Sequence, residues 1–359
     1  MNQEKGRGYL RVGFIGANYG MKAIYPAIAS LSGVDFIGLA TRTNKSQAHI
    51  ASNFLPTNNI PSIPLNRLID RNHCDLLVVA VPPSSQLEVC NLALENEISV
   101  YCEKPVGVSR LQTYSIENYL TLQRSKFFVG FQFRFDPGIL WLKDQIESKR
   151  VGRILEVKVT WETSGALHIG SHPTWRDDFL QGGGVSREFC SHIFDYLRYI
   201  SPELFDFLPN FLVLSKQRNH KKSNAFQEIE IVASYPDVKV WMMISRMKTS
   251  SAKHSIQIKG ENGEIEMCQS APFGILNLNV VHKDFNIGGR SDKGLELSNF
   301  TATGNLSNPN DLRHSALVSL FSDLKMELQN IAHSEKIARI DDAVYSQKCV
   351  DKLNDELYN

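Results

Sequence analysis

The sequence predicts an α/β fold in two parts, a parallel sheet with crossover helices followed by an α+β domain. The chain has 359 residues, which corresponds to about two domains of typical size. From Leu10 to Gly130, short apolar runs alternate with segments of helical periodicity, as in βαβ units. After Phe133 to Pro137 the alternating runs become longer, which is typical of antiparallel strands. We therefore expect one domain over residues 1–132 and a second over 133–359.

In the first domain, each strand candidate is too short to be a helix and is rich in Val, Ile or Phe. We predict strands at Leu10–Ile15, Val34–Ala40, Asp75–Val81, Ile98–Cys102 and Phe127–Gly130. We predict helices at Lys22–Leu31, Asn44–Phe54, Ser85–Glu95 and Ser109–Gln123.

In the second domain, alternating runs and a few helical patterns predict an α+β arrangement. We predict strands at Ile154–Trp161, Glu228–Tyr235, Lys239–Met247 and His254–Gly260. We predict helices at Ser191–Tyr199, Leu312–Ala332 and Asp342–Leu357. The Gly-, Ser- and Asn-rich segment Asn286–Pro309 indicates a long surface loop.

Composition excludes several classes of protein. Lys and Arg number 39 and Asp and Glu 38, a formal net charge of +1, so we expect no nucleic-acid partner. Apolar runs such as Leu76 to Val81 are far shorter than the ~18 residues of a membrane span, so we expect no membrane association. The segment from Met1 to Tyr9 is polar, which favours a cytoplasmic protein. The six cysteines are dispersed, which favours reduced thiols, and we expect no metal.

A glycine-bearing turn, Gly13-Phe14-Ile15-Gly16-Ala17-Asn18-Tyr19-Gly20-Met21, follows the first strand candidate. Strand, glycine turn and helix form the order that binds a dinucleotide pyrophosphate, because backbone N–H groups and the helix N-terminus must reach the phosphates. The G-x-G-x-x-G pattern is incomplete: Asn18 and Met21 replace its second and third glycines. Met21 predicts looser helix packing. We assign cofactor contacts to Gly16, Asn18, Tyr19 and Gly20; the alternative is an ordinary strand-to-helix turn.

The end of the second strand candidate indicates which dinucleotide is bound. Thr41 and Arg42 stand there in place of the carboxylate that favours a free ribose hydroxyl. A hydroxyl and a guanidinium suit a 2′-phosphate, so the sequence favours NADP(H), with NAD(H) as the alternative. A solvated surface arginine would explain the same residues. We assign Pro82, just beyond the third strand candidate, to the same cofactor site.

Lys104 follows the fourth strand candidate, in the run Glu103-Lys104-Pro105. Ligands of open α/β sheets bind outside the carboxyl ends of the strands. A lysine there can donate a proton or stabilise a developing alkoxide. The alternative is a solvent-facing loop lysine.

A glycine-rich turn in the second half, Gly182-Gly183-Gly184, precedes Glu188 and His192. On one helix, residues four apart share a face, so the carboxylate of Glu188 can hold the imidazole tautomer or raise its pKa. A structural histidine is the plainer alternative, and Asp195 is a competing local partner for the imidazole. Surface pairing of Glu188 with Arg187 or Arg198 is equally open.

Aromatic and basic residues lie just before this turn. Trp161, Trp175 and Arg176 can line a sugar or nucleotide-sugar pocket, although both tryptophans can also be core residues. His168 and His172 are four apart, but the residues between them disfavour a helix and no third ligand is evident, which argues against a metal site.

The order of these motifs resembles the Gfo/Idh/MocA family of oxidoreductases over nearly the whole chain. The motifs are the glycine turn, Glu103-Lys104-Pro105, Phe133-Arg134-Phe135-Asp136-Pro137, Val151-Gly152-Arg153-Ile154, Trp175-Arg176, and the glycine-rich turn followed by Glu188, His192 and Asp195. The resemblance implies a Rossmann domain followed by an α+β domain with a large, mainly antiparallel open sheet. It also implies a homodimer or homotetramer and hydride transfer between NAD(P) and a sugar, nucleotide-sugar or cyclitol carbon.

The resemblance also assigns residue roles. Lys104 matches the lysine that hydrogen-bonds the reacting oxygen, His192 the acid/base histidine, and Glu103 the carboxylate beside the nicotinamide ribose. Arg134 lies in the junction motif and is assigned, with Trp175, Arg176, Glu188 and His192, to the substrate side. Glu188 replaces the aspartate usual in the family, and Cys190 replaces a small residue.

Two other functions remain open. Tyr25-Pro26-Ala27-Ile28 and the altered glycine loop are also similar to yeast repressors of the galactose pathway, which would make the chain a non-catalytic dinucleotide sensor. Reduction of a C=N or tetrapyrrole double bond is a third possibility. Lys104 and His192 favour an enzyme that acts on a hydroxyl or carbonyl group.

Overall fold

The computed structural model describes residues 9–41, 61, 63–120, 126–163, 174–218, 223–247, 252–271, 275–284, 302–303 and 312–359. Within these ranges the chain forms a parallel sheet and a mostly antiparallel sheet, as the sequence predicts. Among the described helices, none combines the length and apolar character needed to cross a membrane.

The first sheet contains five parallel strands in the order β2-β1-β3-β4-β5. They are β1 (Leu10–Ile15), β2 (Val34–Ala40), β3 (Leu76–Val79), β4 (Ser99–Cys102) and β5 (Phe127–Val129). All five predicted strands are confirmed, with three of them shorter than expected. Strand β1 lies between β2 and β3, so the chain reverses its direction of winding there, and the loops after β1 and β3 border a crevice.

Helices and helical turns connect these strands. They are a π turn (Gly20–Ile24), α1 (Tyr25–Ala29), α2 (Leu65–Leu68), a 3₁₀ turn (Pro83–Ser85), α3 (Gln86–Glu95) and α4 (Arg110–Leu120). The helix predicted at Asn44–Phe54 lies outside the described residues. Met21, expected to loosen packing, is fully buried in the core beneath the sheet. The wider π turn accommodates this side chain where the complete fingerprint has glycine.

The second sheet has eight described strands in the order β13-β12-β11-β10-β6-β9-β8-β7. Only the β6–β9 pair is parallel among them. The strands are β6 (Ile154–Glu162), β7 (Asn210–Gln217), β8 (Glu228–Ser234), β9 (Lys239–Ser245), β10 (Ala252–Gly260), β11 (Gly263–Ala271), β12 (Ile275–Asp284) and β13 (Ala302–Thr303). Strand β13 lies inside the segment predicted as a long loop.

Helices cover one face of this sheet. They are α5 (Pro137–Glu147), α6 (Ser191–Ile200), α7 (Pro202–Phe205) and α9 (Ile340–Tyr358), with a π turn at Ser186–Cys190 before α6. Helix α8 (Leu312–Leu328) packs instead against the first sheet. Short 3₁₀ turns lie at Gln132–Phe135, Trp175–Asp177 and Phe179–Gln181. Helices α6, α8 and α9 were predicted, whereas α5 was not.

The C-terminal helices join the two parts of the molecule. Leu317 and Phe321 of α8 pack into the core of the first sheet, where the Phe321 ring lies 4.7 Å from that of Tyr101. Helix α9 contributes Val344 to the first domain's core and Val350 to the second's. The domain boundary at residues 132/133 stays a prediction. Residues of both C-terminal helices, far beyond that boundary, pack in the core of the first domain.

Candidate active site

The glycine turn after β1 lies tightly against the end of β3. Gly16 has φ +105°, and a Cβ there would lie 2.3 Å from the carbonyl oxygen of Ala80. A Cβ at Gly20 would lie 3.2 Å from the Ala80 side chain. Only glycine fits at position 16. Because no side chain covers the turn there, its backbone is free to approach a ligand. Because the turn leads into a helical segment, this geometry suits a pyrophosphate.

One cleft of about 400 Å³ brings most of the predicted site together. The glycine turn and the ends of β3 and β4 form one wall, and the region around the second glycine-rich turn forms the other. The cleft is lined by Gly16, Ala17, Asn18, Tyr19, Ala80, Val81, Pro82, Pro83, Glu103, Lys104, Pro105, Gln132, Trp175, Arg176, Glu188 and His192. Ten of the residues predicted from sequence are in this set.

Glu103 is buried at the end of β4 and is held by hydrogen bonds. The Tyr101 hydroxyl donates to its Oε1 at 2.9 Å, and the Gln86 amide donates to its carbonyl at 2.7 Å. Burial raises the pKa of Glu103 to about 7, while Lys104 and the Tyr101 hydrogen bond oppose this rise. Glu103 is therefore partly protonated near neutral pH.

Lys104 reaches across the cleft to the second domain. Its Nζ donates a hydrogen bond to the backbone carbonyl of Glu188 at 2.6 Å. Burial lowers the pKa of Lys104 to about 8; Glu188 and Glu103 oppose the shift and Arg176 adds to it. An amine with this pKa exchanges protons readily near neutral pH, as an acid/base group must.

The side chain of Glu188 pairs with two arginines. Arg176 Nε donates to its Oε1 at 3.0 Å, and Arg246 Nε lies 3.3 Å from its Oε2. Burial disfavours the charge on Glu188, but Arg246, Arg176 and Lys104 outweigh it and lower the pKa of this carboxyl. Glu188 is therefore an anion that lines the cleft.

This pairing corrects the hypothesis that Glu188 holds the imidazole of His192. The carboxylate is bound by arginines, and the hypothesis of a surface pair with Arg187 or Arg198 is equally wrong. Arg187 donates instead to the carbonyls of Phe179 and Val108. Glu188 lies in the π turn rather than in α6, so the simple four-residue helical spacing does not apply.

His192 is buried among aromatic rings in the first turn of α6. Phe133 lies edge-on at 4.8 Å and Trp161 stacks at 5.9 Å between ring centroids. Burial, together with the charge of Lys104, lowers the pKa of His192 well below its usual value. The predicted rise in its pKa is therefore wrong, and the imidazole is neutral at physiological pH. Within the described residues its Nδ1 has no hydrogen-bond partner.

Arg134, assigned from sequence to the substrate side, does not line the cleft. Its Nη2 lies 2.6 Å from Asp195 Oδ1 and 2.7 Å from Asp342 Oδ1, with all three side chains largely buried. Asp195 thus pairs with arginine rather than with His192, and burial raises its pKa to about 7 despite that arginine. The network joins the turn after β5 to α6, the helix that carries His192, and to α9.

Several predicted residues lie away from the cleft or outside the described ranges. Gly20 packs against the Ala80 side chain and does not line the cleft. Thr41 lies just beyond β2 and also does not line it, whereas Arg42, His168 and His172 fall outside the described residues. Within the ranges described, no group of three or more His, Cys, Asp or Glu side chains is placed to hold a metal ion.

Two polar residues of the site were not predicted. Gln132 lines the cleft, and its amide lies 3.5 Å from the Tyr19 hydroxyl while its Oε1 is buried without a partner among described residues. Its position three residues after β5, near the carboxyl end of a parallel strand, was a usable signal. Arg246 lies just beyond β9 and reaches Glu188 from 58 residues away in sequence, so no local pattern pointed to it.

The sequence matches two family descriptions that together cover most of the chain. Residues 10–131 match the Gfo/Idh/MocA oxidoreductase family with an NAD-binding Rossmann fold, and residues 139–266 match the C-terminal domain of the same family. The chain belongs to the Gfo/Idh/MocA family. The fold and the oxidoreductase class predicted from the motif order are thereby confirmed.

Curated Gfo/Idh/MocA relatives include dehydrogenases of sugars and cyclitols. Inositol 2-dehydrogenase of Rhizobium meliloti is 23% identical over 129 residues, which cover 36% of this chain and 37% of that protein. The chain thus spans little more than a third of this relative. Glucose-6-phosphate 3-dehydrogenase of Bacillus subtilis is 24% identical over 71% of this chain and 73% of its own length.

Solved structures of the family share the fold. Levoglucosan dehydrogenase in complex with NADH and L-sorbose superimposes with a TM-score of 0.74 and 15% identity, covering 98% of this chain and 97% of its own. A super-repressor mutant of Gal80p from Saccharomyces cerevisiae gives a TM-score of 0.73 and 18% identity over 96% and 94% of the two chains. At these identities the likeness establishes the fold alone.

Proposed function

We propose that this chain is an NAD(P)-dependent oxidoreductase that moves a hydride between nicotinamide and a carbonyl or hydroxyl carbon of a sugar, nucleotide sugar or cyclitol. The observation that carries the proposal is that Lys104 and His192 line the same cleft as the glycine turn. The Gfo/Idh/MocA relatives named for inositol and glucose 6-phosphate support this class of substrate.

The residues present fit a dinucleotide. The close approach of Gly16 to Ala80 leaves the turn's backbone free for the pyrophosphate, with Asn18, Tyr19 and Pro82 beside it. Glu103 and Lys104 stand at the end of β4, where the nicotinamide half would lie. When bound, the cofactor would supply or accept the hydride.

The chain's own groups handle the proton. Lys104 Nζ, with a pKa of about 8, holds a proton below that pH and donates it to the oxygen of a carbonyl being reduced. In the alcohol, neutral His192 accepts a hydrogen bond from the hydroxyl at the reacting carbon and shares the proton transfer with Lys104. The aromatic rings around His192 keep bulk water away from this face.

We infer that NADP(H) is preferred, with NAD(H) the alternative. Thr41 and Arg42 replace the acidic residue that would bind a free ribose hydroxyl. NADPH should bind more tightly than NADH, and Arg42→Ala should weaken NADPH binding by about 1–3 kcal/mol while leaving NADH binding nearly unchanged. Fluorescence titration of both cofactors tests this, and an equal loss for both would refute the preference.

We also infer assembly into a homodimer or homotetramer through the outer face of the second sheet. Leu212 and Leu214 on β7 are exposed there, and apolar patches on a sheet face favour association. Light scattering during gel filtration tests this, and a monomer at micromolar concentration would refute it.

A dinucleotide-sensing regulator is the second candidate function, supported by the structural likeness to Gal80p. A sensor needs no proton-transferring pair, so Lys104 and His192 favour the enzyme. NADPH or NADH oxidation should be screened against keto-sugars, nucleotide-linked keto-sugars and inososes. Turnover with any of them supports the enzyme, and cofactor binding without turnover of any substrate supports the regulator.

A further inference from the structure

Arg176 presents part of its guanidinium to the cleft. Its side chain is 31% exposed and lines the cavity, and Nε donates to Glu188. Among the described residues the guanidinium donates through Nε alone, so both Nη atoms can donate to a ligand. The Trp175 ring lies 4.5 Å from the guanidinium carbon and covers one face of it.

The backbone of Arg176 is fixed from three sides. Its carbonyl accepts hydrogen bonds from Gly184 N at 3.0 Å and from the Gln227 amide at 3.1 Å. A Cβ at Gly183 would lie 2.5 Å from this carbonyl oxygen, so the glycine-rich turn packs directly against it. Gln227 in turn accepts from Arg246 Nη1 at 2.9 Å. Arg176 is thus held in place before any substrate arrives.

The charges around Glu188 do not balance. Lys104, Arg176 and Arg246 are three cationic groups around the single carboxylate of Glu188. Glu103 compensates only in part, because burial raises its pKa to about 7. Burial lowers the pKa of Lys104 to about 8, Glu188 and Glu103 oppose this shift, and Arg176 adds to it. An excess of positive charge in a cleft favours an anionic ligand.

We propose that the substrate is a sugar or cyclitol that carries an acidic substituent, a phosphate monoester or a carboxylate, bound by the Nη atoms of Arg176. This inference rests on the proposed function and narrows it. A planar guanidinium donates two parallel hydrogen bonds to either oxyanion, which a neutral hydroxyl cannot match. Glu188 orients the guanidinium through Nε and leaves the outer donors to the ligand.

Calorimetric binding in the presence of saturating NADPH tests the inference without requiring hydride transfer. The probes are three pairs, each a neutral compound and a relative with one acidic group: glucose and glucose 6-phosphate, glucose and glucuronate, and myo-inositol and its monophosphate. We expect at least one charged member to bind at least tenfold tighter than its neutral partner. The glucose 6-phosphate and glucuronate arms then distinguish phosphate from carboxylate.

Two substitutions and a control test whether Arg176 causes the preference for charged probes. Arg176→Gln should abolish the charge preference, whereas Arg176→Lys should keep part of it because the cation remains. Arg153→Gln, an exposed arginine paired with Glu261, is the control and should change nothing. NADPH fluorescence titration shows that each variant is folded. Equal binding of charged and neutral probes, or a preference that survives Arg176→Gln, would overturn the inference.

Incubation of the same probes with NADP⁺ or NAD⁺, followed by the absorbance of the reduced cofactor, separates this inference from the proposed function. Hydride transfer without a preference for charged probes would refute the acidic substituent and leave the oxidoreductase intact. Tight binding of a charged probe without hydride transfer would refute the oxidoreductase and leave the anion site intact.

Discussion

Lys104 Nζ lies 2.6 Å from the backbone carbonyl oxygen of Glu188, a hydrogen bond between residues 84 positions apart. It joins the end of β4 in the first domain to the π turn in the second. The same Glu188 carries the carboxylate that two arginines hold. The charge of Glu188 and the proton affinity of Lys104 are therefore linked, and this link governs how the site should respond to pH.

Carbonyl reduction should slow as the pH rises through about 8. Lys104 has a pKa lowered to about 8 by burial, so it is protonated and able to donate below that pH and neutral above it. Alcohol oxidation should show the opposite slope, because it requires the neutral amine as base. The dependence of kcat/KM on pH in both directions measures this. A flat profile between pH 7 and 9 would contradict it.

Glu188→Gln should move that transition to lower pH. The substitution keeps the side chain's shape and the carbonyl that Lys104 contacts, but it removes the anion that supports the lysine's charge. Glu188→Asp, which keeps the charge, is the matched control and should leave the transition near that of the parent. Superimposable pH profiles for the parent and the Gln variant would show that the charge of Glu188 does not affect the pKa of Lys104.

Replacing Lys104 or His192 should slow hydride transfer and leave NADPH affinity nearly unchanged. We expect Lys104→Met and His192→Ala each to lower kcat by about 10²–10⁴, the effect of a lost acid/base group. NADPH affinity, measured by fluorescence, should stay within about threefold because the pyrophosphate contacts are untouched. Parent-like turnover in both variants would show that the reacting oxygen lies elsewhere.

Arg134→Met should destabilise the fold by about 3–5 kcal/mol, because it leaves Asp195 buried and unpaired. The double variant Arg134→Met/Asp195→Leu should recover much of the loss by removing both charges. Urea unfolding of the parent and both variants measures this. If the single variant is as stable as the parent, the buried network does not hold α6 in place.

Gly16→Ala should weaken cofactor binding, since the new Cβ would collide with the Ala80 carbonyl and strain a backbone with φ +105°. The strain should cost about 1–3 kcal/mol. Gly33→Ala also places a side chain at positive φ, but its Cβ would meet only the flexible end of Lys325. It should lower stability without changing the Kd for NADPH. Unchanged NADPH binding by Gly16→Ala would contradict the proposed phosphate site.

The sequence predicted those parts of the fold that local patterns encode. The parallel strands carry continuous apolar runs, and Lys104 follows one of them at the edge where ligands bind. Helix α5 was missed because Pro137 and Gly138 look like a break, although Asp136 caps the helix by accepting from the amides of Gly138 and Ile139. Strand β7 was missed because Leu212 and Leu214 are exposed, which obscures the alternation of buried and exposed residues.

The residues of the site were easier to predict from the sequence than the polar contacts between them. Gly16, Lys104, Glu188 and His192 stand in motifs and were found, but their pairing depends on distant residues. Arg246 reaches Glu188 from the end of β9, and Asp342 reaches Arg134 from α9. Spacing along one helix suggested a Glu188–His192 pair, and only the tertiary structure shows that arginines bind the carboxylate.

The most direct test of the oxidoreductase claim is the initial rate of NADPH oxidation by the parent and Lys104→Met across the keto-sugar and inosose panel, at pH 7. Cofactor binding is measured on the same samples. The account predicts turnover of at least one compound by the parent and a loss of about 10² or more in the variant, with NADPH still bound. Tight NADPH binding by the parent with no oxidation on any compound would contradict it.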